Sequence, residues 1–165
     1  MKYTNSIEIA LPRDEVLQLF ADPAQTPKWL RGLVLHETVS GNHGQVGTTS
    51  HVVFQTGKQR FEATETITRL EPADLHAVPS SVVVHYEREI AAEGMWQAQR
   101  DRLIEAGPDT TLWESESEFQ FDGLLMRLVG RLLPASLRKQ SQQHMRDFKA
   151  FAEHGTDVRQ RANGA

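Results

Sequence analysis

The strongest constraint on this chain is the run 33–121, where apolar residues recur at every second position and turn residues break the pattern at hairpin spacing. The clearest piece is TTLWESESEFQF, residues 110–121. Trp113, Ser115, Ser117, Phe119 and Phe121 share one face there, and Glu114, Glu116 and Glu118 share the other. Carboxylates at period two are solvated most cheaply, so the tryptophan face is expected to point inward. The predicted strands are 33–40, 46–56, 58–70, a piece within 74–90, 95–106 and 110–121. Their turns are GNHG, TGK, AAEG and AGPD. Pro79 forbids a regular central strand at its position, which leaves the fourth strand without a sharp boundary. Successive hairpins build an antiparallel sheet, one face of which must be covered.

The flanks supply the cover. Residues 2–10 alternate as a further strand, with Tyr3, Ile7 and Ile9 opposite Lys2, Thr4, Ser6 and Glu8. A short helix follows Pro12, with Val16, Leu19 and Phe20 as its apolar stripe. A second starts at Thr26-Pro27 and carries Trp29 and Leu30. Residues 122–154 read as one long helix bent at Pro134. The first half of that helix, FDGLLMRLVGRLL, has more apolar surface than one sheet contact requires, and from Leu137 onward the stripe narrows to an ordinary core-facing spacing. A chain of 165 residues fits one domain. The domain is placed at 1–154, and the polar, Gly-containing segment 155–165 is expected to be a flexible tail.

The stretches PRDEVLQLFADPAQTPKWLRGL, GQVGTTSHVVF, FEATETITRLEP, GPDTTLWESESEF and LLMRLVGRLLPASLRKQSQQHMRDFKAFAE resemble the START-like, helix-grip superfamily (SRPBCC), which includes the polyketide cyclase/dehydrase family. The resemblance covers residues 3–154. It implies an α+β fold, with a curved seven-stranded antiparallel sheet wrapped around a long C-terminal helix and two short helices after the first strand. It also implies a ligand cavity between sheet and helix. It carries over no catalytic motif residue by residue.

Candidate site residues follow from the facing of the strands. An even AGPD loop sets Ile104 opposite Trp113, Arg102 beside Ser115 and Arg100 beside Ser117, all on the inner face; an odd loop or a bulge turns both arginines outward. The same parity across AAEG brings Val83, His85 and Glu87 inward. Glu65 alternates with Phe61, Ala63 and Ile67 and so faces in as well. The expected ligand site comprises Trp29, Phe61, Trp113 and Met126 as apolar wall and lid, with Glu65, His85, Arg100, Arg102 and Ser117 at the polar end. A set of ordinary surface salt bridges is the plainer reading of the charged members.

Several chemistries are disfavoured. There is no cysteine, so disulfides, thiolate metal sites and cysteine nucleophiles are excluded. The seven histidines show neither HxH nor HExxH spacing. GxSxG, GxGxxG and GxxxxGK[ST] are absent, and a formal charge of −4 gives no field favouring nucleic acid. The N-terminus lacks a secretory apolar region, and no apolar run is long enough to span a bilayer.

The leading expectation is binding of a small hydrophobic or amphiphilic molecule, such as a lipid, polyketide-like aromatic, isoprenoid or quinone. No metal or nucleotide cofactor, no nucleic acid, a cytoplasmic location and a monomer or homodimer are expected. The first alternative is a cyclase/dehydratase-type enzyme with His85 or Glu65 as base and Arg100 as electrophile. The second is a protein-interaction module of the co-chaperone or ribosome-associated kind. Transient membrane-surface contact through Arg127, Arg131, Arg138 and Lys139 is a further option for the long helix.

Overall fold

The computed structural model describes residues 1–123, 128 and 133–162. Strand β1 (Lys2–Ile9) leads through helices α1 (Arg13–Ala21) and α2 (Thr26–Trp29) into β2 (Leu33–Ser40). The meander β3 (Thr49–Thr56), β4 (Gln59–Glu71), β5 (Val84–Ala92), β6 (Met95–Gly107) and β7 (Thr110–Phe121) follows. Helix α3 (Pro134–His154) and a short α4 (Val158–Ala162) close the chain. The seven strands form one antiparallel sheet in the order β1-β7-β6-β5-β4-β3-β2, so the first two strands sit at opposite edges and α1 and α2 bridge them. Among the described residues no helix is long and apolar enough to cross a membrane.

Helix α3 packs mainly along β1 and against α2. Tyr3 and Ser141 hydrogen-bond at 2.7 Å, and the Asn5 amide donates to the Arg138 carbonyl at 3.1 Å. Beneath this helix lies a dense aromatic core. Phe20 stacks on Trp29 at 6.1 Å, and Phe148 meets Trp29 and Trp113 edge-on at 5.0 and 5.4 Å. Ile9, Val16, Leu103 and Met145 fill around the rings.

One residue resets the facing predicted for the middle of the sheet. Gly107 pairs with Thr110 and Glu105 with Thr111, so Ala106 is extra and the register shifts by one. Such a bulge reverses every side chain beyond it. Leu103, not Ile104, stands opposite Trp113, and Asp101 and Gln99 replace the arginines on the concave face. The inward placement of Arg100 and Arg102 is therefore corrected. The β5–β6 turn does have the even parity the sequence suggests, with Ala92 paired to Met95 and His85 to Arg102. His85 and Glu87 accordingly follow the arginines to the convex face, and Val84 rather than Val83 is the residue buried on the concave one.

One further expectation changes at the C-terminal end. Residues 155–162 are not a loose tail: Gly155, at φ 67°, caps α3, and Val158 of α4 is buried against the domain. The regular helix is described from Pro134, a position suited to a helix start. The predicted apolar first half, including Met126, lies outside the described residues.

The long β4–β5 connection is held from inside. Arg13, buried at the start of α1, donates to the carbonyls of Val82, Pro79 and Val78. This explains how a proline-broken segment stays ordered without strand pairing.

Candidate functional site

The convex face is a lattice of ion pairs. Arg100 bridges Glu116 and Glu118 at 2.9 and 3.0 Å, Arg102 meets Glu114 at 2.8 Å, and Arg69 meets Glu87 at 3.0 Å. His85 lines a groove on this face with Arg69, Glu87, Arg100, Arg102, Glu114 and Glu116. Each arginine there already has a carboxylate, as cross-strand opposite charges on a wet sheet face do. The plainer reading of the charged residues therefore describes His85, Arg100 and Arg102.

The concave face holds a different cluster, and only Glu65 of the predicted charged set belongs to it. His36 Nε2 lies 3.1 Å from Glu65 Oε1. Arg88 donates to Glu65 Oε2 at 3.4 Å and to Asp101 Oδ2 at 3.2 Å. Trp113 Nε1 donates to Asp101 Oδ1 at 2.9 Å, while Gln99 reaches both Asp101 oxygens at 3.4 Å. The elements responsible are the facing residues of β2, β4, β5 and β6. His36 opposes Val52, Ser50 opposes Glu65, Glu65 opposes Ile90, and Ile67 opposes Arg88.

Electrostatically this is an interior salt network. Burial pushes the Glu65 carboxyl up, but the His36 hydrogen bond and the Arg88 charge outweigh it, so its pKa lies below the ordinary value and it stays ionised. Arg88 is held charged against its own desolvation by Glu65 and Asp101. Its guanidinium also covers the Tyr86 ring at 5.1 Å. Tyr86 is pushed up to about 12, chiefly by burial, and is neutral. Arg88 Nε is buried and has no partner among the described residues, which is costly for an N–H in the interior.

Around the charged cluster the concave face is apolar. Val52, Ala63 and Leu33 form a second buried cluster with Phe54 and Ile90 packed on it, and Phe61 lies 6.4 Å from Phe54. Phe61 sits on this inner face yet is 40% exposed, so the surface opens outward at that end. Ser117 also faces in and is buried, one strand beyond Gln99. Trp29 and Trp113 do not line this opening. Both are interior members of the aromatic core, and the lid role expected of Trp29 has no counterpart in its packing. Trp113 touches the cluster only through its indole N–H.

Sequence reasoning missed His36, Arg88, Asp101, Gln99 and Tyr86. The usable signal was in VHYEREIA: Val84, Tyr86, Arg88 and Ile90 alternate with apolar ends, which marks the inward set.

No family model and no curated protein matches this sequence. Solved structures do. The Zhui aromatase/cyclase from Streptomyces sp. R1128 superposes with a TM-score of 0.73 at 16% identity, over 100% of this chain and 98% of that one. Ara h 8.0201 gives 0.66 at 16% identity, over 92% and 97%. Norcoclaurine synthase from Thalictrum flavum, in complex with dopamine and hydroxybenzaldehyde, gives 0.62 at 16% identity, over 93% and 87%. At such identities the likeness is one of fold. The chain has the helix-grip fold, with a curved antiparallel sheet and a C-terminal helix.

Proposed function

We propose that this domain binds a small hydrophobic or amphiphilic molecule on the concave face of β3–β5. The observation that carries the reading is the pairing of an interior polar cluster, His36–Glu65–Arg88–Asp101, with an apolar surface that opens at Phe61. Small-molecule sites are mostly apolar with a few convergent polar groups. Helix α3 has its main contacts with β1 and α2, and β1 is the edge strand opposite β2. Proteins of like fold with names that imply small-molecule chemistry, an aromatase/cyclase and a norcoclaurine synthase holding dopamine and hydroxybenzaldehyde, support the reading. The test is native mass spectrometry of freshly purified protein. A retained small molecule, released by organic extraction, is the expected result. A bare protein mass that stays bare after incubation with amphiphiles would contradict it.

One observation favours a second reading, acid–base catalysis on a molecule held in the same place. The His36–Glu65 contact of 3.1 Å is the arrangement in which a carboxylate orients an imidazole, leaving the other ring nitrogen free to take a proton. This replaces His85 and Arg100, which face away from the concave surface. Conversion of an enolisable ketone that His36→Gln abolishes, with binding retained, would establish it.

A further inference from the structure

We infer that residues 22–32, which carry α2, form a movable strap, held closed by two latches from the C-terminal end of the chain, and that this strap sets how fast the guest exchanges. Its effect on a guest rests on the binding reading above; the strap itself does not.

The segment has little structure of its own to hold it in place. It joins α1 to β2 outside the sheet and outside α3, and only Thr26–Trp29 are helical, with no side-chain cap at their start. A helix that short depends on its tertiary contacts. Its inner peg is Trp29, whose ring lies 5.0 Å from Phe148 and 6.1 Å from Phe20. The peg carries a penalty. Its indole Nε1 is buried and has no acceptor among the described residues, so closure takes away that N–H's hydrogen bond to water. Burial of the ring favours the closed position and the stranded donor opposes it. The contacts outside then decide the balance.

Arg31, at the end of the strap, makes the first latch. It forms a bidentate pair with Asp147 of α3 at 2.5 and 2.9 Å, and Gln143 donates to the same carboxylate at 3.0 Å. The Arg31 side chain is 48% exposed and that of Asp147 only 6%. A cation reaching in from the surface thus satisfies a carboxylate that is otherwise shut away from water. The last turn of the chain makes the second latch. Gly155 ends α3, and α4 then packs against α2 with Val158 buried. Lys28 of α2 also lies over the Phe151 ring of α3, at 5.9 Å.

The strap reaches the concave surface through Leu30. This residue packs both on the aromatic core and on the Leu33–Val52–Ala63 cluster. Trp29 covers no opening itself, but Leu30 follows it directly and moves with it. Gly32 is the pivot. Its φ of 81° is one that glycine adopts without strain, and a Cβ there would meet the Gln55 carbonyl oxygen at 3.0 Å. The Gly32 carbonyl accepts from the Gln55 N–H at 2.7 Å, which fixes the β2 side of the pivot to β3. Rotation at this point lifts Leu30 off the cluster and leaves the sheet intact, as hinge motions do.

The test is hydrogen-exchange mass spectrometry on the full chain, with Arg31→Met and Val158→Ser each releasing one latch. Amide exchange reports local opening, and loss of either latch should speed it in residues 22–33 by about tenfold or more, with β4–β7 unchanged. The dissociation rate of N-phenyl-1-naphthylamine, followed by stopped flow, should rise with it. Unchanged exchange in 22–33 in both variants, or acceleration spread equally through the sheet, would overturn the strap. Faster exchange with an unchanged dye dissociation rate would overturn its control of the guest. If the dye does not bind the unaltered chain, the binding reading fails and control of the guest fails with it, while the exchange rates still judge the strap. Val158→Ser leaves the Arg31–Asp147 pair in place, so it decides the matter even should Arg31→Met fold poorly.

Discussion

Trp113 donates its indole N–H to Asp101 at 2.9 Å, and both side chains are buried. This contact joins the two halves of the interior. On one side of it is the aromatic core of Phe20, Trp29 and Phe148; on the other is the ion network that runs through Arg88 to Glu65.

Removing Asp101 should therefore be far more damaging than removing a charge from the convex face. Asp101→Ala leaves Arg88 with one long carboxylate contact and Trp113 without an acceptor. Breaking a buried pair in this way costs about 3–5 kcal/mol. Arg102→Ala, at an exposed pair, should cost no more than about 1 kcal/mol. Urea denaturation of both variants checks the contrast, and equal costs would mean the inner and outer faces have been misassigned.

Arg13 gives a second test of interior wiring. Three carbonyls of the β4–β5 connection depend on its guanidinium. Arg13→Met preserves bulk but strands these acceptors, at about 1–3 kcal/mol. The accompanying sign should be faster proteolytic cleavage near Pro79, with the strands unaffected. Cleavage at an unchanged rate would show that the segment is held by something else.

Stability should fall at both ends of the pH scale for identifiable reasons. Tyr86, raised to about 12 mainly by burial, contributes stability that is intact below the unfolded-state pKa of about 10 and disappears as pH climbs through 12. His144 runs the opposite way. Burial, aided by Arg31 and opposed by Asp147, depresses its pKa, so its contribution is present above about pH 6.5 and is lost on acidification. Stability measured against pH should flatten on the alkaline side in Tyr86→Phe and on the acid side in His144→Leu.

The convex-face residues should be silent in binding. His85→Ala, Arg100→Ala and Arg102→Ala are expected to leave ligand affinity within about twofold of the unaltered protein, since exposed pairs contribute little. Glu65→Gln, by contrast, should change it. Loss of affinity in Arg100→Ala alone would return the site to the groove on the outer face.

The fold was legible because period-two patterning, hairpin glycines and a C-terminal helix all point to one topology. TTLWESESEFQF announces its inward face by itself, since alternating glutamates admit only one orientation. Facing across a turn is harder to read. Ala106 looks like any other residue before Gly107, yet its bulge moved Arg100 and Arg102 outward and carried His85 and Glu87 with them. Glu65 escaped this error because its orientation follows from Ala63 and Ile67 on its own strand. Asp101 and Arg88 were hidden for a different reason: nothing in a sequence marks a charge as buried until its partner is known to face it from the neighbouring strand.

The most direct test of the account is the binding isotherm of a neutral apolar dye, N-phenyl-1-naphthylamine, compared between the unaltered chain and Ala63→Phe. Ala63 lies between Phe61 and Glu65 on the concave strand, so the added ring fills the place assigned to the guest. The account expects saturable binding at one site in the unaltered chain and its loss in a still-folded Ala63→Phe. No saturable binding to the unaltered chain, or an isotherm that Ala63→Phe leaves unchanged, would contradict it.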